Sequence, residues 1–197
     1  GMPLPRRASL ASARRGLLPV ALTLSALVAL TGCTAATTAV VSVPAPTDVS
    51  QLSDDDGYIP EGTSLTLDSE LPAIQRLDPQ LLEALRAADR TAVDEHGTTI
   101  TIVDGWRSLR YQEYLFEQAV QKYGSEHEAE RWAKRGADSS HVSGHAVDIG
   151  TADAMDFLNR FGSEWGICQI YANEAWHFEL ATSPGGECPQ MQADGRG

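Results

Sequence analysis

The run Ser139-Ser140-His141-Val142-Ser143-Gly144-His145-Ala146-Val147-Asp148 and the later Glu174-Ala175-Trp176-His177 contain the residue types from which a metal-dependent hydrolase is built. Together they offer two imidazoles and a carboxylate able to hold one zinc ion, and a second carboxylate placed to act on a water at that ion. A catalytic zinc takes three protein ligands and keeps one position open. Water in that position has its pKa lowered to about 7, which provides a nucleophile at neutral pH.

The spacing says which residues can converge. His141 and His145 stand four apart, but Gly144 and the β-branched Val147 and Ile149 argue for a strand over His145–Ile149 rather than a helix. Alternation then places Gly144, Ala146 and Asp148 on one face and His145, Val147 and Ile149 on the other. Asp148 is expected on the face cleared by the small residues. His141 folds over from the preceding loop, and His145 points away into packing or a supporting hydrogen bond. On a later strand His177 and Glu179 share a face, while Trp176, Phe178 and Leu180 pack on the opposite one. Glu174, just before that strand, can approach the metal's water without binding the ion. Glu179 is either a supporting partner or a surface carboxylate, with the surface reading slightly preferred. His96 and His127 read as solvated.

The elements that must carry these residues follow from caps and periodicity. Asp78-Pro79 opens a helix whose apolar stripe is Leu81, Leu82, Leu85 and Ala88, and Gly97 closes it. Thr98–Val103 is expected to be a strand. After the turn Asp104-Gly105-Trp106-Arg107, Ser108 caps a helix to Tyr123 with Leu115, Phe116 and Ala119 inward. Further helices are expected over 126–135 and 152–161, and closing strands over 167–171 and 176–180. Helices gathered early and strands late predict an α+β fold, a small and mainly antiparallel sheet flanked by helices.

Ser139-x-His141-x-x-Gly144-x-Ala146-x-Asp148 followed by Glu174-x-Trp176-His177 resembles the zinc D-alanyl-D-alanine carboxypeptidases of the vancomycin-resistance type, within the hedgehog-like zinc peptidase fold. Asp104-Gly105-Trp106-Arg107-Ser108 is similar to the Gly-aromatic-Arg-Ser segment of that family. The resemblance covers about residues 67–180. It implies one zinc ion held by His141, Asp148 and His177, Glu174 as catalytic base, and Arg107 facing the substrate and its developing oxyanion. Ser139 contacts either the substrate or only its own loop. Arg110 is a candidate for the terminal carboxylate of a peptide. The stretch between Gly166 and Glu174 is shorter than the loop that many members carry there.

Composition sets the address. The 197 residues, 42% hydrophobic, suffice for one ordinary core. Arg6, Arg7, Arg14 and Arg15 precede the apolar run Leu17–Leu30, too short and too rich in Ala and Thr for a spanning helix, and Leu30-Thr31-Gly32-Cys33 resembles a lipobox. Residues 1–32 are therefore expected to be a lipoprotein signal peptide, 33–66 the lipidated Cys33 with a flexible linker, and 67–197 the zinc peptidase domain. Without the four leader arginines, eleven bases face 27 acids, a net charge of −16 that excludes nucleic acid and a polybasic membrane patch. Membrane attachment then falls to lipid, outside the cytoplasm of a bacterium. The Asp54-Asp55-Asp56-Gly57 run lacks the alternation of a calcium loop and reads as solvated charge. Cys168 and Cys188 form either one disulfide, the reading that export favours, or two free thiols.

Three functions compete at this point. One is a carboxypeptidase trimming terminal D-alanine from peptidoglycan stem peptides, working as a monomer. The others are an endopeptidase of the same fold and a non-catalytic lipoprotein that binds wall peptides. A pocket for a free carboxylate would favour the first, a cleft open at both ends the second, and a distorted metal site the third.

Overall fold

The computed structural model describes residues 44–197. The expected signal peptide and Cys33 lie outside the described residues. Among those described, no helix is long and apolar enough to cross a membrane.

Four short strands, β1 (Ile102–Asp104), β2 (Ala146–Ile149), β3 (Ile167–Gln169) and β4 (His177–Leu180), form one sheet in the order β1-β2-β4-β3, with every neighbouring pair antiparallel. Residues directly opposite in such a ladder project from the same face. On one face Ile102, Val147, Ile149, Ile167 and Phe178 join the main core. The register on the other face pairs Asp104 with Asp148, Asp148 with His177, and Ala146 with Glu179. An irregularity in β1 between Ile102 and Asp104 breaks the alternation there, so that three adjacent strands set Asp104, Asp148 and His177 in one row.

The apolar face is covered chiefly by helix α2 (Pro79–His96), which follows the short α1 (Pro72–Gln75). The Asp78 side chain accepts from the amides of Gln80 and Leu81, Pro79 needs no hydrogen-bond partner at the first position, and Gly97 ends the helix in the left-handed conformation. Leu81, Leu82, Leu85, Ala88 and Ala92 are buried along its inner stripe. Truncating Leu85 to Ala would cost about 2–5 kcal/mol by the usual penalty for a core cavity. Helix α5 (Ala152–Phe161), capped by Thr151, adds Ala154, Phe157 and Leu158 to the same core. Helix α3 (Leu109–Tyr123), capped by Ser108, builds a separate small cluster of Phe116 and Ala119 with Ala129 from α4 (Glu126–Ala129).

Several expectations need correction. Residues 48–66 are no flexible linker: Leu52 and Ile59 are buried, and Leu65 pairs with Ile102 through two backbone hydrogen bonds of 2.8 Å. Asp56 is likewise no solvated charge. It is buried, accepts from Ser108 Oγ at 2.7 Å and pairs with Arg110 Nε at 3.2 Å. The strand expected from Thr98 begins only at Ile102, because the amides of Thr98 and Ile100 are taken by α2, through Ala92 O and Asp89 Oδ1. The helix expected to reach Arg135 stops at Ala129; the carbonyl of Arg131, which a continuing helix would use, accepts instead from Asn173 Nδ2 and Gly195 N. His96 is exposed yet its ring packs edge-on against Phe157 and at a tilt against Phe161.

Candidate metal centre

Asp148 stands near the middle of β2 and His177 opens β4 directly opposite, so the sheet alone brings those two together. His141 comes from the loop before β2, and that loop is held at several points. The amide of Arg107 donates to His141 O (3.1 Å), Trp106 Nε1 to Val142 O (3.1 Å), and the amide of Asp78 to Gly144 O (2.8 Å). Gly144 has φ +78°, and a Cβ there would lie 2.5 Å from Arg76 O, so only glycine lets the loop pass. Gly105 is equally constrained, since a Cβ would meet Ala73 O at 2.2 Å. That tight turn presents its own carbonyl to His141 Nδ1 at 2.8 Å.

The hydrogen bonds decide which ring nitrogens face inward. A carbonyl only accepts, so His141 Nδ1 carries the hydrogen and Nε2 is left with its lone pair. His177 Nε2 lies 2.8 Å from Glu179 Oε1, which leaves Nδ1 free in the same way. His141 Nε2 and His177 Nδ1 are 3.2 Å apart, and each is 3.3 Å from Asp148 Oδ1. Donor atoms that share a tetrahedral zinc at about 2.0–2.1 Å are separated by about 3.3 Å, so this triangle has the size such an ion requires. Asp148 Oδ1 is buried with no hydrogen-bond donor, an arrangement that is costly unless a cation completes it. Its other oxygen, Oδ2, accepts from Arg107 Nη2 at 3.1 Å.

Electrostatics agree with a cation-seeking site. Burial opposes the charge on Asp148, yet His141, His177 and Arg107 hold its carboxyl well below the ordinary range. Burial also opposes protonation of His177, but Asp148 and Glu179 outweigh it and lift the ring to about 9 without a metal. Glu174 is buried beside the triad, its Oε2 3.8 Å from His177 Nδ1. Burial, reinforced by Asp148 and opposed by His177 and Arg107, raises its carboxyl to about 7. Among the described residues it is the one carboxylate other than Asp148 in the wall of the cavity that opens on the triad.

The other expected residues divide. Ser139 is buried in the wall of the cavity that opens on the triad, a space of about 100 Å³. Arg107 also lines it, but four of its five N–H groups are engaged, by Asp104 twice, Asp148 and Gln112. Burial works against its charge, and Asp104 and Asp148 more than restore it. Arg110 is not in this wall; it binds Asp56 and the carbonyl of Gln51, which answers the suggestion that it meets a substrate carboxylate. His145 is exposed and bonds Ser143 Oγ at 2.8 Å. Cys168 and Cys188 form a disulfide. Glu179, read as a surface carboxylate, orients His177 instead, as its place two residues along the same strand face allowed. Trp176, expected in packing, is 38% exposed and lines the cavity with Tyr171, Trp132 and Lys134. Those last residues fell inside the helix expected over 126–135 and the strand expected over 167–171, both of which end before reaching them.

A His–Asp–His triangle sized for one ion, with a free carboxylate at its side, belongs to a mononuclear metallopeptidase. Comparison with protein families agrees: the model of the VanY D-alanyl-D-alanine carboxypeptidases matches residues 75–183. The chain belongs to that family. Among solved structures it is similar to VanYB in complex with D-alanine-D-alanine (20% identity, TM-score 0.48, 52% of this chain and 70% of that one). It is also similar to a variant of the vancomycin-resistance D,D-pentapeptidase VanY from a VanB-type cassette in complex with Zn(II) (20% identity, TM-score 0.50, 59% and 77%). A third is the LdcB LD-carboxypeptidase, at 22% identity and TM-score 0.45, where 52% of this chain spans 58% of that one. At such identities the likeness is one of fold. No curated protein matches the chain.

Proposed function

We propose that this protein is a zinc-dependent carboxypeptidase that removes the terminal D-alanine from peptidoglycan stem peptides. The observation that carries the reading is the placement of Glu174, buried beside three donors whose 3.2–3.3 Å spacing suits one ion. His141, Asp148 and His177 would hold the zinc, which when bound supplies Lewis acidity and a water acidified to a pKa of about 7. Glu174 takes a proton from the attacking water as its oxygen bonds to the scissile carbonyl carbon. It then gives that proton to the departing amine nitrogen as the C–N bond breaks. Arg107, a buried cation on the cavity wall, opposes the negative charge that develops on the carbonyl oxygen, with the one N–H its partners leave free. Ser139 lines the approach of the peptide.

The address supports the substrate. The basic leader, apolar run and Cys33 suit a lipid-anchored protein outside the bacterial membrane, and a disulfide between Cys168 and Cys188 suits an oxidising compartment. We read the enzyme as a monomer there, next to the wall.

Mass spectrometry of a stem pentapeptide and tetrapeptide after incubation with zinc-loaded protein tests this reading. Release of one terminal D-alanine is expected, and Glu174→Ala should keep its zinc while losing about 100-fold or more in turnover. Cleavage at an internal bond would reject the carboxypeptidase assignment in favour of an endopeptidase. Intact peptides with zinc bound would leave only a binding role.

A further inference from the structure

Glu174 stands in an irregular stretch between β3 and β4, and Trp132, Ala133 and Lys134 of the same cavity wall follow α4 in another. Backbone groups in such stretches have no helix or ladder to satisfy them and must find partners elsewhere. Here the partners come from residues 188–197, a segment outside the span 75–183 that the family model matches. Gln192 N donates to Ile170 O at 2.9 Å, and Ala172 N donates to Gln192 O at 2.8 Å. The Arg131 carbonyl accepts from Gly195 N at 3.2 Å and from Asn173 Nδ2 at 3.0 Å. Ile170, Ala172 and Asn173, all within four residues of Glu174, are thus bonded either to this segment or to the carbonyl it holds.

Charge fixes the segment in turn. Asp194 is only 6% exposed, and its Oδ2 accepts from Arg131 Nε at 2.9 Å and from Arg196 Nη2 at 3.2 Å. Its Oδ1 accepts from the Arg196 amide at 3.0 Å. Hydrogen bonds between ionised groups are about twice as strong as neutral ones, so Asp194 is the firmest point of attachment. One residue on, a Cβ at Gly195 would lie 2.6 Å from Glu130 O, and Gly195 itself belongs to the cavity wall that includes Glu174. At the other end of the segment, the disulfide from Cys188 to Cys168 ties it to β3.

We infer that Asp194 is a positioning residue for the reaction: it anchors residues 188–197 to Arg131, and that segment holds the turn from Tyr171 to Glu174 so that the Glu174 carboxylate keeps its place beside the metal donors. This role rests on the reading of Glu174 as the base and names what keeps that base within reach. A general base acts only within about 2.6–3.2 Å of the group whose proton it takes. A displacement of about 1 Å caused from outside the reacting centre is enough to cost about 100-fold. The bonds that orient His141, Asp148 and His177 come instead from Gly105, Arg107 and Glu179. Holding the ion and placing the base are therefore separate tasks, done by different parts of the chain.

The test compares wild type with Asp194→Ala and Gly195→Ala, and with Arg110→Ala as a variant that weakens the fold elsewhere. Stem-pentapeptide turnover, zinc affinity by chelator competition and amide hydrogen exchange are measured on each. Asp194→Ala and Gly195→Ala should each lose about 10- to 100-fold in kcat, with KM and zinc affinity within about threefold of wild type. Exchange should quicken at the Ala172 and Gln192 amides and stay unchanged at Ile102, whose amide bonds Leu65 at the opposite edge of the sheet. Arg110→Ala should show neither the loss in kcat nor the faster exchange. Gly195→Ala leaves every charge paired, so it carries the test alone if Asp194→Ala does not fold. Unchanged kcat, a loss confined to KM, or a loss without faster exchange at Ala172 overturns the role of Asp194 and leaves the carboxypeptidase reading intact. Zinc affinity falling in step with kcat overturns it too, because the segment would then support the whole site and not the base. If Glu174→Ala in the otherwise unaltered chain cleaves peptide at the wild-type rate, the reading of Glu174 fails and this inference falls with it.

Discussion

Arg107 Nη2 sits 3.1 Å from Asp148 Oδ2, and the opposite oxygen of that carboxylate is turned toward the nitrogens of His141 and His177. The arginine therefore does for Asp148 what Glu179 does for His177 and the Gly105 carbonyl does for His141: each candidate ligand has one polar atom fixed by the protein and one left free to meet an ion.

Arg107→Ala should lower zinc affinity by about 10–100-fold, the usual effect of removing a partner that orients a ligand. Arg107→Lys should recover little, because an ammonium cannot span Asp104, Asp148 and Gln112 as the planar fork does. Competition with a chromophoric chelator measures this. Unaltered affinity alongside reduced turnover would show that Arg107 serves only the reacting oxygen.

Glu179→Ala should free the His177 ring and weaken zinc binding by about 10–100-fold, whereas Glu179→Gln retains an acceptor and most of the affinity. The nitrogen chemical shifts of His177 report the same event. A surface carboxylate would give no change in either measurement.

The metal-free protein should lose stability as pH rises from mildly acid to alkaline. Burial first, and Asp148 with it, raises the Glu174 carboxyl from 4.5 to about 7, so the folded state holds that proton more tightly and its contribution disappears as pH climbs through 7. His177, for which burial is outweighed by Asp148 and Glu179, moves from 6.5 to about 9 and loses its contribution over that interval. Asp148, depressed, acts oppositely and loses its contribution only as pH falls below the ordinary carboxylate range. With chelator, the melting temperature should fall between about pH 5.5 and about pH 9, and the gain on adding zinc should widen over the same range, because the ion displaces protons. A chelated protein that melts higher at about pH 9 would contradict the assigned shifts.

Arg110→Ala should leave kcat and KM nearly unchanged while lowering stability by about 1–2 kcal/mol, the scale of a part-exposed charged contact. Urea denaturation read beside peptide turnover separates the two. A selective rise in KM would return Arg110 to the substrate.

The four residues at the heart of the site were legible in the chain because each carries a local mark. Asp148 sits on a β-branched strand beside small residues, His177 stands three residues after Glu174, and Gly144 announces a tight loop. Helices α2 and α3 were equally plain, for Asp78 and Ser108 precede runs of helical period, and α5 lies where a helix over 152–161 was expected. Helix length was less so. Nothing within residues 126–135 says that the Arg131 carbonyl will be claimed by Asn173 and Gly195 from far along the chain.

Residue type and short-range spacing, then, determined the α+β class and singled out the candidate donors and the proposed base, since lone pairs and alternation are properties of neighbouring residues. Only the tertiary structure decided the partners. It turned Arg107 onto Asp148, sent Arg110 to Asp56 and drew residues 48–66 into the fold. It also stood Lys134 over Tyr171. Each of these joins residues distant in the chain through a side chain long enough to choose among several counter-charges, and that choice is made by packing, which no local pattern encodes.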